Sequence, residues 1–376
     1  MIGSLTISIP ALRANARALA DLVAPSRAAF VVKGNAYGHG LVEVALAIEP
    51  LAAKLCVYSL DEAVQLRDGG ITIPIVVLGP IPPSDLDEAA AADVDVALWD
   101  TGEYVRRLSA AADRARRPIR AHVKVNTGLN RLGLEPSELA DAIEDYAHLP
   151  GIEIAGVFSH LAAAEELDSP FTMHQLERFN HAYAQAEPVL AAHGALPLRH
   201  IAASAAAMLW PQTRLDMARF GIALYGLWPS GPTREAMNGG RLPLQPALRY
   251  TTQLVVTRTI AAGEAVGYGT TFHAPRSMRI GIIPLGYADG IPRALSNKGY
   301  VLVDGARAPI VGRIAMNMAF VDLTHAPAAR VGSAVTLIGR DREQEVGADD
   351  WAAWCDTINY EIVTRLPASL SRSYAE

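Results

Sequence analysis

Ile152-Glu-Ile-Ala-Gly-Val-Phe158 and, one loop later, Phe171-Thr-Met-His-Gln-Leu-Glu-Arg-Phe-Asn-His-Ala-Tyr-Ala-Gln-Ala-Glu-Pro-Val-Leu-Ala-Ala192 read as one strand followed by one helix. The first is a short apolar run; in the second, apolar and aromatic residues recur at helical spacing. The unit repeats on either side. Apolar runs at Phe30 to Val32, Leu55 to Ser59, Ile75 to Leu78, Val94 to Leu98, Ala121 to Val125 and Leu198 to Ala202 alternate with helical patterns such as Asp61 to Arg67, Gly102 to Ala112 and Pro136 to Ala147. Such units predict a parallel sheet with covering helices. Seven or eight in one run predict a closed (β/α)8 barrel of the TIM type. A doubly wound open sheet is the alternative, but no Gly-x-Gly-x-x-Gly follows the first strand.

After residue 228 the texture changes. Pro229 to Pro246 holds four prolines and three glycines and reads as a linker. Beyond it lie strand-like stretches with little helix between them: Tyr250 to Ile260, Met278 to Leu285, Tyr300 to Val303, Met318 to Leu323 and Ala334 to Ile338. The expected division is a barrel over residues 1–230 and a mostly β C-terminal domain over residues 231–376. A strand near residues 4–9 is a candidate to pack with the second domain.

At 376 residues, 51% apolar and 19% charged, the chain has material for two or three well-filled cores. A net charge of −6 without a basic run disfavours a nucleic-acid partner. No apolar run is long enough to span a membrane, and the first residues lack a secretory signal, so a cytoplasmic enzyme is expected. Cys56 and Cys355 show no metal-ligand spacing, and no metal site is expected.

In a barrel, chemistry gathers on loops leaving the C-terminal ends of the strands. Lys33 directly follows Phe30 to Val32, Arg131 lies in the loop after Ala121 to Val125, and His160 closes the run from Ile154. Ser204 ends His200-Ile-Ala-Ala, and Arg219 follows Leu215 to Ala218. Singly, each is an ordinary solvated or hydrogen-bonded side chain. On one barrel face they form an electropositive site suited to a phosphorylated cofactor or an anionic substrate. The Gly221 and Ile222 amides fall late in the barrel, where phosphate commonly binds.

Val31-Val-Lys33-Gly-Asn-Ala-Tyr37-Gly-His-Gly40 resembles the cofactor-lysine signature of alanine racemases. Other segments resemble that family in the same order: His122-Val-Lys124-Val-Asn-Thr-Gly-Leu-Asn-Arg131-Leu-Gly133, Phe158-Ser-His160, His200-Ile-Ala-Ala-Ser204, Arg219-Phe-Gly221-Ile222, Val266-Gly-Tyr268-Gly, Gly286-Tyr287-Ala-Asp-Gly290, Gly312-Arg313-Ile-Ala-Met316 and Asn359-Tyr360-Glu361. The likeness spans roughly residues 5 to 366.

The resemblance implies pyridoxal 5'-phosphate bonded covalently to Lys33, and interconversion of L- and D-alanine by two-base proton transfer. Lys33 serves one face of the α-carbon and Tyr268 the other. Arg131 meets the cofactor phenol oxygen and the substrate carboxylate. Tyr37, Ser204, Gly221, Ile222 and Tyr360 hold the phosphate, His160 lies close to Tyr268, and Arg219 faces the ring nitrogen. Because an arginine does not take up a further proton, that nitrogen stays neutral, which restrains side reactions such as transamination. Met316 contacts substrate, while Tyr287, Arg293 and Arg313 build the substrate corridor. Lys124 matches a position carbamylated in some members. The family is a homodimer whose active sites are shared, with Tyr268, Tyr287 and Met316 meeting the other subunit's barrel. The role implied is cell-wall D-alanine supply or alanine catabolism.

Ala315 and Asn317 stand where many members carry Cys or Ser and Asp, and Ala203 replaces a common Asn. Ala315 and Asn317 leave a broader-specificity racemase, acting for example on serine, as an alternative. A related decarboxylase would need an acidic site and a reactive-cysteine motif not found here. A non-catalytic pyridoxal-phosphate carrier protein is a lone barrel, and the second domain with Tyr268 argues against it.

Overall fold

In the computed structural model, which describes residues 3–237 and 242–376, the seven apolar runs of the first half become seven of eight parallel strands. After a first strand, β1 (Gly3–Ser8), come β2 (Arg27–Val31), β3 (Lys54–Val57), β4 (Ile75–Val77), β5 (Asp95–Leu98), β6 (Ile119–Lys124), β7 (Ile152–Phe158), β8 (Leu198–His200) and β9 (Met217–Phe220). Their order is β8-β7-β6-β5-β4-β3-β2-β9, every pairing parallel. The ring nearly closes where Arg219 N donates to Ala202 O at 3.1 Å and Asp216 N to Arg199 O at 3.1 Å. Strands this short are viable because β3, β4, β5 and β9 are buried along their whole length. Arg219 lies inside β9, not after a strand ending at Ala218. A charged residue within Met-Ala-Arg-Phe hid that strand.

Helices cover the barrel. Leu60–Asp68 starts from a capping box in which Ser59 Oγ accepts from Glu62 N and the Glu62 carboxylate accepts from Ser59 N. Phe171–Ala192 buries Leu176, Phe179, Ala182, Ala186 and Leu190 along one stripe. The proline-rich stretch expected as a linker contains a short helix, Gly231–Ala236, capped by Ser230 Oγ on Thr233 N at 3.2 Å. Pro232 in its first turn lacks the N–H that the helix start leaves unused. Residues 238–241 of that stretch lie outside the described residues. The barrel unit comprises residues 11–34 and 41–245.

The second unit comprises residues 3–10, 35–40 and 246–376. Its strands are β1, β10 (Leu248–Gln253), β11 (Val256–Ile260), β12 (Met278–Ile283), β13 (Tyr300–Val303), β14 (Ala306–Pro309), β15 (Ala319–Asp322), β16 (Ala334–Asp341), β17 (Gln344–Val346) and β18 (Ser371–Ala375). One sheet runs β14-β13-β16-β10-β1-β18, with β17 paired to β16; the other runs β11-β12-β15. Alternate burial along β1 puts Leu5 and Ile7 in the core, and β1 pairs antiparallel with β10 and parallel with β18. The expected single strand from Tyr250 to Ile260 is two strands, because the chain changes sheets at Leu254 and Val255. Two short helices, Ala348–Cys355 and Asn359–Thr364, also lie here. Among the described residues no helix is long and apolar enough to cross a membrane.

Candidate active site

Lys33 opens a turn of unusual hand. Gly34, Asn35, Ala36 and Tyr37 have φ of 64°, 54°, 51° and 52°, a left-handed helical turn. Each non-glycine residue there costs about 1–2 kcal/mol, so the surroundings must hold it. Glu62 Oε1 accepts the Gly34 N–H at 2.6 Å. His39, fully buried, directs Nδ1 at the carbonyls of Ala36 (3.1 Å) and Tyr37 (2.9 Å), so that nitrogen is the donor. Burial lowers the His39 pKa to about 4 and keeps the ring neutral.

Lys33, Lys124, Arg131 and Arg219 lie close enough at the C-terminal end of the barrel to act on one another. Burial, then Arg131, lowers the Lys33 pKa, and Glu62 opposes the shift. Burial followed by Arg131, Arg219 and Lys33 lowers Lys124 to about 8. Lys124 Nζ and Arg219 Cζ lie 5.4 and 5.5 Å from the Phe158 ring centroid. Among the described residues none of the four cations has a carboxylate at ion-pair distance. Lys124 and Arg219 are buried, Lys33 is half-buried and Arg131 is exposed; uncompensated charge on the buried pair is expensive unless an anion binds there.

The Arg131 loop is tied by Asn126, whose Oδ1 accepts from Gly128 N at 3.2 Å and Asn130 N at 3.0 Å. A Cβ on Gly133 would lie 2.6 Å from Asn126 N, which explains that glycine. His160 is held through its carbonyl by Gln175 Nε2 at 3.2 Å, and Gln175 also donates to Thr127 Oγ1 at 3.2 Å. Burial, then Arg219 and Arg131, lowers the His160 pKa to about 3. Arg219 Nη2 approaches its Nδ1 at 3.4 Å, so Nδ1 is the acceptor and Nε2 carries the proton. Ser204, first residue of the helix Ser204–Leu209, accepts Gly221 N at 3.1 Å, and Ile222 opens the following turn. Two chain turns thus present N–H groups and a hydroxyl together, a setting for phosphate.

Arg219 is 3% exposed. Its Nη atoms bond to Ser159 O (2.8 Å), His200 O (3.0 Å), Ile201 O (3.2 Å) and His200 Nδ1 (2.7 Å). Its Nε–H has no acceptor among the described residues. Sequence reasoning passed over His200, His122 and Asp95 as groups in their own right. The one signal was an acid and two imidazoles inside the barrel strands β5, β6 and β8.

In the second unit, the Tyr37 and Tyr360 rings lie 6.2 Å apart. Tyr268 is 73% exposed on a turn between Gly267 and Gly269 (φ 75° and 70°). A Cβ on Gly269 would lie 2.9 Å from the Arg313 guanidinium, so Arg313 lies over that turn. The Tyr287 turn is fixed to the Met316 loop by Tyr287 N donating to Ala315 O (3.1 Å) and Ala288 N to Met316 O (2.9 Å). Ser296 Oγ joins the Arg293 turn to the same loop, donating to Arg293 O and accepting from Ile314 N. Asn317 donates to Asp289 at 3.2 Å. Tyr268, Tyr287, Met316, Arg293 and Arg313 are all exposed.

The donor set suits a phosphorylated aldehyde: the amine of lowered pKa at Lys33, three further cations without carboxylates, and an unused Arg219 N–H. The profile of the alanine racemase N-terminal domain matches residues 7–229, and that of the C-terminal domain residues 247–374. An alanine racemase of Symbiobacterium thermophilum is 41% identical, covering 98% of this chain and 96% of its own. The crystal structure of alanine racemase from D-cycloserine-producing Streptomyces lavendulae superposes with a TM-score of 0.93 at 36% identity, covering 100% of this chain and 97% of that one. The alanine racemase of Bacillus anthracis with bound L-Ala-P gives 0.90 at 32% identity, covering 100% and 95%. The chain belongs to the alanine racemase family, isomerases that depend on pyridoxal phosphate.

Proposed function

We propose that Lys33 and Tyr268 are the two bases of an alanine racemase whose active site is completed by a second copy of the chain. The activity is interconversion of L- and D-alanine. The carrying observation is that three cations without carboxylate partners, Lys124, Arg131 and Arg219, surround the lowered-pKa amine of Lys33. Bound covalently at Lys33, pyridoxal phosphate supplies the electron withdrawal that lets the substrate α-proton leave. Ser204, Gly221, Ile222, Tyr37 and Tyr360 bind the phosphate; Arg131 orients the phenol oxygen and substrate carboxylate; the free Arg219 N–H meets the ring nitrogen.

The Lys33 amine, neutral more readily than an ordinary lysine, takes or gives the proton on one face of the α-carbon. Inversion needs a carrier on the other face. The exposed Tyr268 hydroxyl is that group, and His160, protonated at Nε2, donates to it. Met316 bounds the side-chain pocket, and Tyr287, Arg293 and Arg313 line the approach. Exposure of Tyr268, Tyr287, Met316 and Met318 supports burial against a second subunit. Lys124, whose amine is neutral more readily than usual, is the place for a carbamate beside Arg131.

Borohydride reduction followed by peptide mapping, with a chiral assay on L-alanine, tests the reading. A reduced cofactor adduct on Lys33 and growing D-alanine support it. An adduct elsewhere, or none, overturns the assignment. A broader-specificity racemase is the second reading, favoured by Ala315 at the loop that fixes Tyr287. Comparable turnover of serine in the same assay would establish it.

A further inference from the structure

The barrel core holds a polar column where such barrels are usually filled with branched apolar side chains. Lys54 and Asp95 open β3 and β5, and their Nζ and Oδ2 atoms lie 2.6 Å apart. Asp95 Oδ1 is 2.6 Å from Arg120 Nε. Asp95 Oδ2 meets His122 Nε2 at 3.2 Å, His122 Nδ1 meets His200 Nε2 at 2.8 Å, and His200 Nδ1 meets Arg219 Nη1 at 2.7 Å. Asp95, His122 and His200 are fully buried.

We infer that Asp95, His122 and His200 are positioning residues for Arg219, forming a one-way chain of hydrogen bonds that gives the guanidinium a neutral acceptor and leaves its charge unpaired. This rests on the reading that Arg219 faces the cofactor ring nitrogen. A guanidinium only donates and a carboxylate only accepts, so the two ends fix everything between them. His200 accepts at Nδ1 and donates from Nε2; His122 accepts at Nδ1 and donates from Nε2 to Asp95. Flipping either tautomer sets N–H against N–H or lone pair against lone pair where no water enters. Protonating either ring does the same.

The two imidazoles have a consequence at Arg219. A carboxylate placed directly against it would form a bidentate ion pair and cancel its field. Here the carboxylate lies beyond two neutral rings and is answered by Lys54 and Arg120. Every acceptor on Arg219 is a carbonyl or a neutral imidazole nitrogen. The backbone makes room for the column. A Cβ at Gly156 would lie 2.2 Å from His122 Nδ1, and the β6–β7 register shifts between Ala121 and His122. Phe158 stacks on His200 at 4.9 Å with its plane 4° away, fixing the ring.

Nitrogen-15 NMR of histidine-labelled, cofactor-loaded protein near neutral pH tests the chain directly. Both imidazoles should be neutral with the proton on Nε2. A proton on Nδ1 of either ring overturns the inference, even if the protein racemises alanine normally. His122→Phe, which breaks the chain, should lower kcat by roughly 10–100-fold with KM held within about threefold, and should shift the absorption of the bound cofactor. His122→Gln, whose amide both accepts and donates, should recover most of both. A folded His122→Phe protein with unchanged kcat and absorption also overturns it. If His122→Phe does not fold, the NMR result decides. Failure of the wild-type protein to racemise alanine would strike the underlying reading, while the NMR result would still stand.

Discussion

Glu62 Oε1 accepts the Gly34 N–H at 2.6 Å, so the acid that caps one barrel helix also clamps the residue after Lys33. Its Oε2 accepts Tyr58 N at 2.9 Å. Glu62→Ala removes the cap partner and the clamp and should cost about 1–2 kcal/mol, measured by denaturant unfolding. It should also weaken retention of the cofactor, read by absorbance after dialysis. Full retention in Glu62→Ala would show that the left-handed turn holds itself.

Glycines provide a contrast of steric causes. At Gly38 φ is +83° and a Cβ would lie 2.1 Å from Val363 O, a backbone atom that cannot swing aside. At Gly70 φ is +92°, with nothing within 4 Å. Gly70→Ala should cost about 1–2 kcal/mol from conformation alone. Gly38→Ala should cost clearly more, above about 3 kcal/mol, or prevent folding. Equal melting temperatures would refute the close approach.

Lys124 gives a pH signature with a definite sign. Its pKa falls from 10.5 to about 8 on folding, with burial the leading cause. Between those values the unfolded chain binds more protons than the folded one, so this group makes stability rise with pH across that window. In CO2-free buffer, cofactor-free Lys124→Met should be more stable than wild type below about pH 8, with the gap closing by about pH 10.5. With carbon-13 bicarbonate, wild type should show a carbamate signal that Lys124→Met lacks.

The proposed sharing of the site ties assembly to activity. Met318, 50% exposed, lies among the exposed residues around Tyr268 and Met316. Met318→Asp should leave the fold intact, read by circular dichroism, while sedimentation shows monomers and racemisation falls in parallel. Fully active monomers would contradict the sharing.

Barrel strands were legible because strands buried on both faces read as short apolar runs, as at Ile75–Val77 and Asp95–Leu98. β9 was not, since Arg219 interrupts its run. β18, Ser-Arg-Ser-Tyr-Ala, carries no apolar pattern because it is an edge strand beside β1. The motif around Lys33 was plain in the sequence, but its left-handed conformation was not. Glycines at 34, 38 and 40 announce positive φ, whereas Asn35, Ala36 and Tyr37 adopt it against their own preference. Nor do His122 and His200 reveal their tautomers until both ends of their chain are located.

Two-base transfer is tested most directly by following L-alanine in D2O by NMR with the cofactor-loaded protein while a chiral assay tracks D-alanine. Deuterium should appear at Cα as D-alanine grows. Tyr268→Phe should slow inversion by about 10²–10⁴-fold while Lys33 still exchanges the α-proton of one of the two enantiomers. Exchange without D-alanine in the wild type, or undiminished inversion in Tyr268→Phe, would contradict the assignment of Lys33 and Tyr268 to opposite faces.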